Sequence, residues 1–282
     1  MDERRSKKED RKFKAHFFFF ALIFLTAFIC VIAHLVDDET GGNSGGKELA
    51  KGDLPKTTAA VQATGASVTS VTTVTTVTTT AATNKGVPKS QAKSEEYLKS
   101  CAFVGDSITV GLSSYQFLPA ENVIAEVGVN VCSVNEKVMQ TAYGDMTALE
   151  ALMHAVPDNI YVMLGSNGIS WLSVDSMVAD YSAFVDSIRR SLPKANIYLV
   201  SIPPVTAAKE KSDQPIFNSD IDEYNKHLLD LAVKNKYYYI DLNADLKDDS
   251  GVFPVEDAAD DGMHFNRSTY EKMINFILTH VA

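Results

Sequence analysis

Five short apolar runs, separated by segments of helical spacing, constrain this chain more than any other feature. They span residues 101–105, 122–127, 159–165, 195–202 and 236–242. Each is close to continuously apolar instead of alternating, which is the pattern of a strand covered on both faces. Between them, residues 174–192 place Val178, Tyr181, Phe184, Val185 and Ile188 at helical spacing, and residues 216–235 do the same with Ile221, Tyr224, Leu228, Leu231 and Ala232. Thr147 and Glu150 have the spacing of a capping box, and Asn266 or Ser268 can cap a final helix reaching Val281. Five strands alternating with helices predict a three-layer α/β/α sandwich with a five-stranded parallel sheet.

In such a sheet, functional groups gather in the crevice beyond the carboxyl ends of the strands. The first run ends in Gly105-Asp106-Ser107-Ile108, which puts Ser107 at the strand-to-helix turn. The second ends at Gly128, where a glycine lets the backbone approach a bound group. The third ends in Gly165-Ser166-Asn167, which offers a side-chain amide. Asp261-Gly262-Met263-His264 stands immediately before the final helix. A Gly-Asp-Ser tripeptide or a glycine after a strand is ordinary alone; the combination in this order is much more specific.

These blocks resemble those of the SGNH (GDSL-type) hydrolases, a family named for the Ser, Gly, Asn and His of its four sequence blocks. The resemblance covers the folded part of the chain, about residues 100–282, and implies an SGNH/flavodoxin-like fold and a serine ester hydrolase. It implies Ser107 as nucleophile, His264 as the base that takes its proton, and Asp261 as the residue that orients the imidazole, with Asp260 as a competing neighbour. The Ser107 and Gly128 N–H groups and the Asn167 amide would form the oxyanion hole. No cofactor or metal is implied. Two positions depart from the family pattern: Gly168 stands where the third block usually continues to Asp, and Val131 stands where the second block often has another glycine. The implied substrate is an ester, with an acetyl or other short acyl group on a polysaccharide as the leading expectation. Alternatives are an O-acyltransferase working with a membrane partner, a lipase- or thioesterase-type acylhydrolase, and an inactive surface binding protein. Trp171, Tyr115 and Phe117 are either core residues or the lining of a sugar cleft. His154, His227 and His280 fall in helical segments and are expected to be structural.

The N-terminal third reads differently. Residues 17–36 contain no Asp, Glu, Lys or Arg. As a helix, about 20 residues match the ~30 Å hydrocarbon core of a bilayer. Seven Lys/Arg lie in the first fourteen residues, whereas Asp37, Asp38 and Glu39 follow the stretch. That asymmetry predicts a cytoplasmic tail over 1–16, a single transmembrane helix over 17–36, and everything beyond it outside the cell membrane. A cleaved signal peptide fits less well, because its apolar region is usually shorter, about 7–15 residues, and a small-residue cleavage site should follow. Residues 37–94, with the run VTTVTTVTTT, bury too little apolar surface to fold and are expected to form a disordered linker. The hydrolase domain is then 95–282.

From Ser94 onward there are 13 Lys/Arg against 27 Asp/Glu, a net charge of −14 with His neutral. Such a surface repels phosphate backbones and excludes nucleic acid as a partner. Three cysteines are too few for a disulfide framework or a Cys-built zinc site. Cys101 opens one strand and Cys132 follows the far end of another, so no bridge between them is expected.

Overall fold

A computed structural model describes residues 86–282. The expected cytoplasmic tail, the expected membrane span and residues 37–85 of the expected linker lie outside the described residues. Among the described residues, no helix is long and apolar enough to cross a membrane. The last part of the expected linker is seen against the domain. Val87 is buried and its N–H donates to Tyr239 O at 2.8 Å, while Ser90 N and Lys93 N donate to carbonyls at the end of the last helix. Contacts with the domain thus begin several residues before position 95.

The strands are β1 (Cys101–Gly105), β2 (Val123–Ala125), β3 (Met139–Thr141), β4 (Gly144–Met146), β5 (Asn159–Met163), β6 (Asn196–Val200) and β7 (Tyr238–Ile240). The helices are α1 (Ser107–Ser114), α2 (Ala148–Ala155), α3 (Val174–Ser191), α4 (Asn218–Asn235), α5 (Leu242–Leu246) and α6 (Arg267–Thr279), with short 3₁₀ turns between some of them. Five strands form one parallel sheet in the order β2-β1-β5-β6-β7, while β3 and β4 form a separate antiparallel hairpin. This is the doubly wound α/β/α sandwich that the sequence pattern predicts.

Strand alternation sorts the core into two layers. Ala102, Val104, Ile160, Val162, Ile197 and Leu199 pack with residues of α2, α3 and α4. Cys101, Phe103, Tyr161, Tyr198 and Tyr238 point the other way, toward residues of α1 and α6. Because the strands are in register, Phe103, Tyr161, Tyr198 and Tyr238 are direct neighbours, and their rings stack across the sheet at 5.0, 4.4 and 4.8 Å. Cross-strand aromatic pairs of this kind stabilise a sheet beyond the area they bury.

The helix starts follow the sequence signals. Thr147 accepts from Glu150 N and the Glu150 carboxylate accepts from Thr147 N, closing the capping box of α2. For α6 the structure decides between the two possible caps. Asn266 accepts from Thr269 N, whereas the Ser268 hydroxyl donates to the Asn266 side chain. The helix ends at Thr279, two residues short of the expected Val281. The two domain cysteines are not joined: Cys101 Sγ donates to Tyr97 O and Cys132 Sγ to Asn130 Oδ1.

Candidate active site

Register places the proposed blocks side by side. Gly105 pairs with Ala125 of β2 on one side and with Met163 of β5 on the other. Ser107, Gly128 and Asn167 follow these three strand ends by two, three and four residues, so their segments leave the same edge of the sheet. Gly105 makes the closeness possible. A Cβ there would lie 1.9 Å from Thr109 Oγ1 and 2.6 Å from Met163 O, and the latter is a backbone atom that cannot move aside.

Asp106 caps α1, its Oδ1 accepting from Ile108 N at 3.1 Å. Ser107 is therefore the first residue of the helix, and its N–H belongs to the first turn, which has no intrahelical acceptor. Its half-buried hydroxyl lies 2.8 Å from His264 Nε2, and His264 Nδ1 lies 2.5 Å from Asp261 Oδ2. The other Asp261 oxygen accepts from Met263 N at 3.0 Å and His264 N at 2.9 Å. One carboxylate thus holds both the backbone and the ring of the histidine. Partial burial pushes the Asp261 carboxyl up. The hydrogen bonds from the His264 side chain and from the His264 and Met263 backbones outweigh this and hold it below the usual carboxylate value. Asp261 is therefore an anion near neutral pH, suited to fix the imidazole tautomer and to balance an imidazolium. Both ring nitrogens of His264 are engaged by Asp261 and Ser107, so the neighbouring Asp260 is not the residue that orients the imidazole.

The loops that carry Gly128 and Asn167 are joined at Val129. Gly128 sits at φ +82°, in the left-handed region that favours glycine, and a Cβ there would meet nothing within 4 Å. Its exposed face therefore opens to solvent. Asn167 Nδ2 donates to Val129 O at 2.9 Å, joining the loop after β5 to the loop after β2. An amide nitrogen carries two hydrogens, so one N–H remains for a ligand.

Both departures from the family pattern have packing reasons. At Gly168 a Cβ would stand 3.0 Å from Leu172 Cδ1 and 3.4 Å from Met177 Cε, so an aspartate there would be pressed against apolar side chains. Val131 is fully buried in the core with α2, α3 and α4, a place that glycine would leave empty.

The three aromatic candidates separate. Trp171 is 56% exposed, and its indole N–H donates to Asn167 O at 2.7 Å. Tyr115 and Phe117 pack against Tyr270, and Arg267 lies over Phe117. His154 stacks on Tyr143 and His280 on Phe276, as structural residues do.

Sequence reasoning gave Asp106 no role beyond its place in the tripeptide. It is 1% exposed, and its Oδ2 has no hydrogen-bond partner among the described residues. Burial pushes its pKa from 3.8 up to about 7, although the Ile108 N–H and the His264 charge pull it down. An Asp before a helix start signals a cap, but nothing local signals its burial. Between about pH 3.8 and 7 the folded protein keeps this proton while the unfolded chain has lost it. Stability therefore falls as pH rises through that window, and the penalty is complete above it. Relative to Asp106→Asn, the wild type should lose about 1.4 kcal/mol per pH unit across the window. Urea unfolding of both proteins at several pH values checks this; a difference that does not change with pH contradicts it.

The chain belongs to the GDSL-like lipase/acylhydrolase family, whose model matches residues 103–272. It is an esterase of the SGNH type. No curated protein sequence matches it. Among solved structures, it is similar to a protein named as an acylhydrolase from Bacteroides fragilis, with 19% identity, a TM-score of 0.50, and coverage of 69% of this chain and 89% of that one. A GDSL-like lipase from Bacteroides thetaiotaomicron gives 16% identity, a TM-score of 0.49 and coverage of 66% and 89%. A carbohydrate esterase family 3 protein from Talaromyces cellulolyticus gives 16%, 0.45, and 63% and 93%.

Proposed function

We propose that Ser107, His264 and Asp261 act as a nucleophilic triad that removes O-acetyl or other short acyl groups from carbohydrate esters. The observation that carries this reading is the unbroken line of hydrogen bonds from the Ser107 hydroxyl through both ring nitrogens of His264 to the Asp261 carboxylate. In the first step, Ser107 Oγ bonds to the ester carbonyl carbon and its proton passes to His264 Nε2. The carbon–oxygen bond to the alcohol then breaks, and that oxygen takes the proton from His264. Water attacks the resulting acyl-serine and gives a proton to His264, which returns it to Ser107 as the carboxylic acid leaves. Negative charge builds on the former carbonyl oxygen in both steps, and the Ser107 and Gly128 N–H groups with the Asn167 amide would receive it. Loss of one such donor typically costs about 2.7–4 kcal/mol of transition-state stabilisation.

Trp171 supports a carbohydrate as the alcohol half. It is an exposed indole anchored to the backbone of the oxyanion residue, and an aromatic face offers apolar surface to a sugar ring. The proposed setting is outward-facing: a chain anchored by residues 17–36, with its N-terminus in the cytoplasm and the domain on a tether. That arrangement suits a large, immobile polymer. The test is acetate release by the full-length chain from acetylated xylan, pectin and peptidoglycan. Release from at least one polymer, lost in Ser107→Ala, is the expected result. Hydrolysis of p-nitrophenyl acetate with no release from any acetylated polymer would contradict the carbohydrate assignment.

A further inference from the structure

Resting on that hydrolase reading, we propose that a small apolar pocket beside the triad is the acyl site, and that it admits an acetyl methyl but not a longer chain. Three walls come from immediate neighbours of the residues already described. Ile108 follows Ser107, Ser166 precedes Asn167, and Met263 precedes His264. Ile202 beyond the end of β6, Ile216 before α4 and Ile221 within α4 contribute to the remaining walls. The segments that carry nucleophile, oxyanion amide and base therefore converge on one hollow.

Size and polarity identify its occupant. The volume open to the centre of a water-sized sphere is about 10 Å³, close to the room for one such group. A stable buried water needs about 2–4 polar partners, whereas this lining is almost entirely aliphatic. A methyl group matches it in both size and polarity. The walls cannot easily give way: Ile108, Ile202 and Ile221 are at most 1% exposed and are embedded in close-packed core. Met263 is only half-buried, with an unbranched side chain, and is the most adaptable of the named walls. A propyl chain would have to displace several of these side chains at once.

The test compares kcat/KM of the full-length chain on p-nitrophenyl acetate, butyrate and octanoate. Misfit of one methylene in an apolar pocket typically costs about 10–200-fold, so acetate should exceed butyrate at least tenfold, with octanoate slower still. Ile216→Ala, at the pocket's edge, should narrow the acetate-to-butyrate ratio about tenfold, and should do so mainly by raising butyrate turnover. Ile221→Val offers the same readout with less loss of packing. Butyrate or octanoate turnover equal to that of acetate in the wild type overturns the pocket assignment while leaving the hydrolase reading intact. An unchanged ratio in a folded pocket variant overturns it as well. Absence of hydrolysis of all three esters overturns the hydrolase reading and this inference with it.

Discussion

Replacing Ser107 with alanine is expected to lower kcat on p-nitrophenyl acetate by about 10⁶-fold, because residues of a serine triad act as a unit and loss of the nucleophile removes nearly all of its effect. Folding should be unaffected. The cap of α1 is the Asp106 side chain, not the serine, and the Ser107 hydroxyl is hydrogen-bonded to His264. A half-buried polar side chain with no packing role usually changes stability by no more than about 0.5 kcal/mol. Activity lost at an unchanged unfolding midpoint is thus the expected signature. Comparable loss of both would move Ser107 from chemistry to structure.

Asp261→Asn should cost about 10⁴-fold in kcat, for a reason visible in the hydrogen bonds. One Asp261 oxygen accepts from two backbone N–H groups, and the other faces His264 Nδ1. An asparagine would keep its oxygen on the backbone donors, so its NH₂ would face the imidazole. The ring would then carry its proton on Nε2, and that nitrogen could no longer accept the proton of Ser107. The loop should stay in place while the chemistry fails. Steady-state kinetics together with the backbone amide NMR signals of Met263 and His264 check this. Near wild-type turnover in the variant contradicts an orienting role.

Most of the fold was legible because apolar content reports burial directly. The strand centres and the spacing of α3 and α4 follow from it, while the capping box at Thr147 follows from the three-residue spacing of a Thr and a Glu. Strand ends were harder to read for the same reason. Ile202 and Leu242 are fully buried yet lie outside the ladder, so a run of apolar residues extends past the last paired one. The β3–β4 hairpin was invisible, because its short strands are largely exposed and carry neither alternation nor a β-branched run. At the site, the residue types and their order along the chain pointed to three strand ends that the sheet places side by side. Four features depend on neighbours distant in sequence and could not be read locally. They are the burial of Asp106, the clamp from Asn167 to Val129 O, the apolar packing of Leu172 and Met177 against Gly168, and the convergence of Ile108, Ser166 and Met263 on one pocket.

The central claim is that Ser107 is a nucleophile activated by His264, and a covalent label tests it most directly. The full-length chain would be treated with a small fluorophosphonate, digested, and mapped by mass spectrometry. A single adduct on Ser107, absent in Ser107→Ala and strongly slowed in His264→Ala, is the predicted result. An adduct on another residue, or labelling of Ser107 at the same rate without His264, would contradict it.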